Sequence, residues 1–354
     1  MTQQFVQHDG GYETAALRRE MVAVGIVQTP QRGVDGDNPE PGIKDNLEYF
    51  LEAIDKAQNT GGRCDLLCFH EFPLHGFRSG WNLEQYLRIS RHPDGPEIAA
   101  IGKKAKEYNC YITLGCQMLD DDWPGHTMNT QLLIGPSGDL IARHWKQRNM
   151  RGMWPGVEQF TTTIYDVYDR YVEMYGLDAV IPVERTDIGN ISMSSVQFEP
   201  ELFRCMALKG AEIIVRTATG GCEREDMRLT SYHNSLYTVI VNNSMDVHRP
   251  SPDFFAEQAP KNGWVGRSAI FGPRGVILAE ADAFETKRRA MLPIGQFRKT
   301  HRIPDTHLFL YKHVFDQYKE RYDPNLWLNK VPETKKEAAD YLKDKFRWTN
   351  HWQS

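Results

Sequence analysis

The fold of this chain is decided by residues 188–243, IGNISMSSVQFEPELFRCMALKGAEIIVRTATGGCEREDMRLTSYHNSLYTVIVNN. Short runs rich in β-branched residues alternate there with segments whose apolar residues recur at helical spacing. Strands that are joined through helices run parallel in a sheet, so the stretch predicts an α/β fold. The predicted elements are strand Ile188–Ser194, helix Glu199–Lys209, strand Ala211–Thr217, helix Glu223–Ser235 and strand Tyr237–Asn243.

The first half of the chain shows the same alternation, and each half ends in a predicted hairpin. The hairpin turns are Gly135–Gly138 (GPSG) and Gly272–Gly275 (GPRG), each between short apolar runs. The two halves are therefore predicted to repeat one plan. The remaining predicted elements are strands Val22–Gln28, Asp65–His70, Cys110–Cys116 and Arg289–Pro293, and helices Asn46–Ala57 and Glu97–Tyr108.

Composition excludes several classes of protein. The chain has 354 residues, 40% of them apolar, and a net charge of −5, which is ordinary for a globular protein and argues against a nucleic-acid partner. It has no run of about 18 apolar residues that would predict a membrane span. Residues 1–20 form a polar arm without the apolar core of a secretory signal. Six cysteines scattered through apolar runs are typical of buried thiols in a cytoplasmic protein.

Three polar residues stand at the carboxyl ends of predicted strands. They are Glu71, Lys146 and Ser194. Because α/β architectures place reactive groups at these ends, the three are the candidate catalytic residues.

Several motifs around these residues, in order over residues 22–293, together resemble the nitrilase (carbon–nitrogen hydrolase) family, nearest its aliphatic amidase and formamidase branch. The resemblance implies a four-layer α-β-β-α sandwich, with two mixed sheets flanked by helices, over residues 21–300. The motifs are Val24–Gln28, Phe69–Phe77, Asn129–Gly138 followed by Arg143–Lys146, Pro200–Arg204 followed by Leu208–Ile213, Asn242–Asn243 and Gly272–Gly275.

The same resemblance assigns roles to two of the three candidates. In the family, a glutamate is the general base, a cysteine is the nucleophile and a lysine stabilises the tetrahedral oxyanion. Glu71 and Lys146 match the first and third roles. These residue types suit the chemistry, because an amide carbon needs an activated nucleophile and the developing oxyanion needs a positive charge beside it.

The family's cysteine position falls on Ser194, seven residues before Glu201. A gap could move it to Ser195 or Val196, but residues 189–204 contain no cysteine. Cys222 remains an alternative nucleophile. Two explanations of Ser194 stay open: a replacement introduced into an ordinary amidase to trap substrate, and a native serine that changes the chemistry.

A second departure follows Lys146. The amidase-like relatives carry a further glutamate about eight residues later, whereas Arg151 lies near that place here and Glu158 could substitute for it. Arginine can pair with an anion, which puts inherited amide specificity in doubt. Segment 147–187 is predicted to be an insert that shapes the pocket. The candidate substrate-binding residues are Arg151, Trp154, Glu158 and Ser195.

The predicted function is hydrolysis of a small non-peptide amide or nitrile, a small-molecule substrate, without a metal or organic cofactor. The alternative is a catalytically altered or inactive protein on the same fold, with a binding or assembly role or a serine-dependent acyl transfer. The resemblance also implies a homo-oligomer with an even number of copies. Residues 301–354 are predicted to form an extended tail, either on a partner subunit or loosely held.

Overall fold

The computed structural model describes residues 6–149, 160–221, 223–245 and 265–348. Within these ranges the chain forms twelve strands and nine α-helices. The strands are β1 Val22–Gln28, β2 Leu66–Cys68, β3 Tyr111–Met118, β4 Met128–Ile134, β5 Leu140–Trp145, β6 Glu184–Thr186, β7 Gly189–Ser194, β8 Ile213–Thr217, β9 Tyr237–Val241, β10 Ala269–Gly272, β11 Val276–Glu280 and β12 Thr286–Leu292. The helices are α1 Glu40–Asn59, α2 Leu83–Ile89, α3 Pro96–Tyr108, α4 Tyr168–Tyr175, α5 Pro200–Leu208, α6 Arg224–Asn234, α7 Ile294–Thr300, α8 Leu308–Gln317 and α9 Lys335–Lys345.

The strands form two mixed sheets of six strands each. The first has the order β12-β1-β2-β3-β4-β5 and the second β11-β10-β9-β8-β7-β6. In each sheet the three strands connected through helices are parallel, β1 to β3 in the first and β7 to β9 in the second. Each half continues into an antiparallel hairpin, β4–β5 and β10–β11. The predicted repetition of one plan in the two halves is thus confirmed.

The two sheets pack face to face with helices outside them. Val22, Val24 and Ile26 of β1 belong to the same core cluster as Ile191 and Met193 of β7, which fills the space between the sheets. The alternate face of β1 joins a second cluster with α1 and α3, to which Val27, Phe50 and Ile54 belong. Side chains that alternate between two faces of a strand explain this division. The four-layer α-β-β-α sandwich with two mixed sheets is therefore confirmed.

Helix α1 begins at Glu40, six residues before its predicted start at Asn46. Its first turn contains Glu40 and Pro41, with Pro39 at the N-cap. Residues 35–41 are rich in glycine, proline and aspartate, a composition typical of a loop. Proline is well tolerated in the first turn of a helix, because the amide hydrogens there have no partner within the helix.

The C-terminal segment differs from the predicted extended tail. Trp327 is completely buried, and its backbone N–H donates to the carbonyl oxygen of Asp166 at 3.0 Å. Leu326, Val331 and Leu342 join the same core cluster as Trp327. The chain therefore returns to its own domain after α8, because these four apolar side chains are buried there and anchor it.

Candidate active site

Glu71 and Lys146 form a buried ion pair at the carboxyl ends of two strands of the first sheet. Glu71 lies three residues beyond β2, and Lys146 directly follows β5. The Lys146 Nζ lies 3.6 Å from the Glu71 Oε1, and less than a tenth of either side chain is exposed. The structure thus brings together two of the three predicted catalytic residues, a base and a cation in contact.

The backbone at Glu71 is held between the two sheets. Its N–H donates to the carbonyl oxygen of Ala218, just beyond β8, at 3.5 Å. On its other side lies Gly115 of β3, where an added Cβ would stand 2.3 Å from the Glu71 carbonyl oxygen. Glycine is required at this position because a side chain cannot fit between the strand and the Glu71 segment.

A chain of three side-chain hydrogen bonds also reaches the Glu71 carboxylate. The Thr217 hydroxyl donates to the Gln131 Oε1 at 2.5 Å, and the Gln131 Nε2 donates to the Asn129 Oδ1 at 3.2 Å. The Asn129 Nδ2 then donates to the Glu71 Oε1 at 2.6 Å. All of these side chains are buried. The same carboxylate oxygen therefore faces both an amide donor and an ammonium group.

Ser194 ends β7 and is held by different groups. Its hydroxyl donates to the Gln147 Oε1 at 2.8 Å, and it accepts the backbone N–H of Val196 at 3.0 Å. Gln147 directly follows Lys146, and β5 packs against β7. Ser194 therefore reaches the same end of the sandwich as the Glu71–Lys146 pair, but its described hydrogen-bond partners are a neutral amide and a backbone N–H.

The structure describes one of the four candidate substrate-binding residues. Ser195 is buried, and its Oγ has no hydrogen-bond partner among the residues that the structure describes. Arg151, Trp154 and Glu158 lie outside the described residues, as does the alternative nucleophile Cys222. A buried hydroxyl without a partner is unusual enough to need an explanation, and a bound ligand is one.

Two histidines in the Glu71 segment are held neutral. Burial lowers the pKa of His70 and that of His75 to about 3. The His75 Nε2 accepts the backbone N–H of Gln117 at 2.9 Å, and its Nδ1 lies 2.7 Å from the Gly76 carbonyl oxygen. Nδ1 therefore carries the hydrogen. These rings support the segment that carries Glu71, since each is buried and cannot easily accept a proton.

Sequence reasoning missed the side chains that hold the three catalytic candidates. Asn129 had been quoted only as part of a motif, and no role had been given to Gln131, Gln147 or Thr217. A polar residue inside a fully buried strand was the available signal for Asn129, Gln131 and Thr217, because buried amides and hydroxyls need partners. Nothing in the sequence singled out Gln147.

None of the helices in the described part of the chain is long and apolar enough to cross a membrane. In the same residues, no group of three histidine, cysteine or carboxylate side chains could hold a metal ion.

The chain matches a known family over most of its length. The family model for carbon-nitrogen hydrolases matches residues 23–298. The formamidase of Bradyrhizobium diazoefficiens is 27% identical over 224 residues, which are 63% of this chain and 59% of that protein. The chain thus spans less than two thirds of the length of this relative.

Solved structures show the same fold at low identity. The carbon-nitrogen hydrolase from Helicobacter pylori G27 has a TM-score of 0.63 at 16% identity, over 84% of this chain and 99% of that chain. A variant of the amidase from Nesterenkonia sp. AN1 has a TM-score of 0.58 at 15% identity, over 85% and 99% of the two chains. That structure shows covalent addition of the acetamide moiety of fluoroacetamide at its active site cysteine. With the family model covering most of its length and both sheets in place, this chain belongs to the carbon–nitrogen hydrolase family of the nitrilase superfamily.

Proposed function

We propose that this protein hydrolyses a small non-peptide amide or nitrile, with Glu71 as general base, Lys146 as oxyanion-stabilising cation and Ser194 in the nucleophile's place. One observation carries the proposal: the buried Glu71–Lys146 pair, with 3.6 Å between Oε1 and Nζ. A carboxylate and an ammonium group in one buried site supply the base and the positive charge that amide hydrolysis needs. The formamidase and amidase named above make a small amide the first substrate class to test.

The reaction on an amide has two halves. In the first, the Ser194 Oγ bonds to the carbonyl carbon, its proton passes to Glu71, and Lys146 faces the oxyanion. The carbon–nitrogen bond then breaks, and Glu71 returns the proton to the leaving nitrogen, which departs as ammonia. In the second, water attacks the acyl ester and gives its proton to Glu71, which passes it to the Ser194 oxygen as the ester bond breaks and the acid leaves. A hydroxyl is much less acidic than a thiol, so the first half is slow with serine.

The test measures ammonia released from formamide, acetamide, propionamide and acetonitrile by the full chain and by Ser194→Cys. We expect Ser194→Cys to be faster by roughly a hundredfold or more, because a thiolate forms far more readily near neutral pH. Ser195→Cys is the matched control, since it places a thiol one residue away and should gain nothing. If neither the native chain nor Ser194→Cys releases ammonia from any of the four compounds, the proposal is wrong.

A catalytically altered or inactive protein is the second candidate, and one contact favours it. The Ser194 hydroxyl donates to Gln147, and an amide oxygen cannot take the proton away. The same assay separates the two candidates, because hydrolysis by Ser194→Cys alone indicates a retained scaffold without native turnover. Transfer of the acyl group to hydroxylamine instead of water would identify a serine-dependent acyl transfer.

We also propose that the protein assembles as a homo-oligomer with an even number of copies. Helix α8 has ten residues and buries none of them, and Phe309 is 94% exposed. Isolated helices this short are unstable in water, so a second copy that covers this apolar face would stabilise it. Phe309→Glu should lower the mass measured by light scattering after gel filtration. Phe284→Glu, at an exposed phenylalanine outside α8, is the control and should not.

The chain's free thiols support a proposed location in the cytoplasm. Five cysteines lie in the described residues, all of them free and four of them buried. Thiols persist in a reducing compartment, whereas secreted proteins tend to use them in disulfides. Fractionation of cells that express the full chain tests this, and recovery outside the cytoplasmic fraction would contradict it.

A further inference from the structure

The carboxamide of Gln147 contacts the hydroxyl of Ser194, the proposed nucleophile. Its Oε1 accepts the Ser194 hydroxyl hydrogen at 2.8 Å, and both side chains are buried, with 8% of Gln147 exposed. The Val196 N–H occupies another side of the same hydroxyl oxygen at 3.0 Å. In this arrangement the Ser194 proton is engaged by an amide oxygen and is not offered to the carboxylate of Glu71.

The other end of the same carboxamide is unsatisfied. The Gln147 Nε2 is buried, and it has no hydrogen-bond partner among the described residues. A buried N–H without a partner costs stability, whereas a carbonyl oxygen in that position costs less. Turning the carboxamide by half a turn would exchange the two ends and place an N–H donor against the Ser194 oxygen. That second orientation frees the hydroxyl proton, and it resolves the unsatisfied N–H.

We propose that Gln147 is a positioning residue that controls the reactivity of Ser194. With Oε1 towards Ser194 it retains the hydroxyl proton, and with Nε2 towards Ser194 it releases that proton to Glu71. This inference rests on the proposed roles of Glu71 and Ser194. It adds that reactivity at position 194 is set by the residue directly after Lys146.

The test uses methanesulfonyl fluoride, a small reagent that sulfonylates serine, so that it needs no knowledge of the natural substrate. The Ser194 Oγ forms a bond to sulfur, the sulfur–fluorine bond breaks, fluoride leaves, and the hydroxyl proton goes to Glu71. Mass spectrometry of the peptide that contains Ser194 follows the rate in the full chain. The variants are Gln147→Met, which keeps the length without hydrogen bonds, and Gln147→Glu.

We expect Gln147→Met to react about tenfold faster, because it lacks the one hydrogen bond that stabilises the unreactive state. Adding Glu71→Gln should remove this gain, because the freed proton then has no acceptor. Gln147→Glu should react faster as pH rises and should keep reacting with Glu71→Gln, since its carboxylate takes the proton itself. The control Gln58→Leu removes another buried glutamine side chain, on α1, and should leave the rate unchanged.

The proposal is overturned if Gln147→Met reacts no faster than the native chain while its thermal unfolding midpoint is unchanged. It is also overturned if the gain survives Glu71→Gln, or if Ser194 is modified in none of the variants. Should Gln147→Met fail to fold, Gln147→Glu decides through its pH profile, which a merely structural role would not produce. Absence of ammonia release in the amide assay contradicts the proposed function alone and leaves this result standing.

Discussion

Glu71 and Ser194 both stand where strands end, but the two sheets that carry them surround them differently. The Glu71 Oε1 meets the Lys146 ammonium at 3.6 Å and the Asn129 amide at 2.6 Å. Among the residues that the structure describes, the Ser194 Oγ meets a neutral amide oxygen and a backbone N–H. The first sheet is thus built to hold a negative charge, while the second presents a hydroxyl that remains protonated.

The two sheets therefore carry different parts of the proposed site. The proposed base and the proposed oxyanion-stabilising cation lie together on the first sheet. Ser194, the proposed nucleophile, lies on the second sheet and donates to an amide oxygen. Variants that change one side at a time can therefore test whether the two sides still act as one site.

The largest expected effect is from Glu71→Gln. The variant is made in the chain that releases ammonia, either the native one or Ser194→Cys. We expect its kcat to fall roughly 10²–10⁴-fold, because the general base is removed. The variant also removes the ion pair with Lys146, which lowers stability. Steady-state ammonia release and thermal unfolding separate the two effects.

Glu212→Gln is the matched control for Glu71→Gln. Glu212 is also completely buried, and it is paired with Arg298, at 2.8 Å between Oε1 and Nε. Glu212 has no proposed role in catalysis. Its loss should therefore lower the stability of the protein and leave the kcat of the folded protein unchanged. A similar loss of kcat in both variants would show that Glu71 acts only as a structural charge.

Acid is expected to act next, through histidines that the fold buries. The pKa of His70 and of His75 is about 3 in the folded chain, against about 6.5 when unfolded. Below about pH 6.5 the unfolded chain therefore binds more protons, and the free energy of unfolding falls by up to roughly 1.4 kcal/mol per pH unit for each histidine. Above about pH 6.5 these residues contribute no pH dependence.

Denaturant unfolding between about pH 7.5 and about pH 5 measures this effect. His75→Gln should reduce the slope without abolishing it, since His70 and also His301, whose pKa burial lowers to about 4, still differ between the folded and unfolded chains. An unchanged slope in His75→Gln would show that other groups cause the acid sensitivity.

The alternation of strands and helices followed from periodicity and the four layers from the family resemblance, whereas some element boundaries and the course of the tail followed from neither. Strand β1 has the predicted bounds Val22–Gln28, because every one of its residues is buried and the run is short. Trp327 could not be placed, since its partners near Asp166 lie about 160 residues earlier in the chain. Local sequence patterns carry no information about such distant contacts, and a single buried indole can redirect a polar segment.

For the site, the sequence predicted the charged pair but not what surrounds it. Glu71 and Lys146 were predicted from strand ends and from a family resemblance, and they lie in contact. Gln147 was missed because a glutamine beside a lysine at a strand end has no distinctive pattern. Its role depends on β5 packing against β7, a relation between sheets that no local periodicity encodes.

The third effect should come from Asn129→Leu, which keeps the size of the side chain and removes its N–H. Losing a hydrogen bond of 2.6 Å to a carboxylate costs roughly 1.5–3 kcal/mol, so we expect kcat to fall about ten- to a hundredfold. Asn234→Leu, at a buried asparagine of α6, is the control and should not change kcat. Equal effects of the two variants would remove Asn129 from the site.

The smallest effect should come from Thr217→Val, and it tests whether the second sheet still takes part in holding Glu71. The Thr217 hydroxyl is two hydrogen bonds removed from Asn129, through Gln131. Valine has the same shape without the hydroxyl, so about 1 kcal/mol should be lost, a few-fold in kcat at most. If the chain of bonds acts as a unit, Thr217→Val should change nothing further once Asn129→Leu is present, because the link to the carboxylate is already broken. Additive losses would instead mean that Thr217 acts by another route, and that the first sheet holds the Glu71 carboxylate without help from the second.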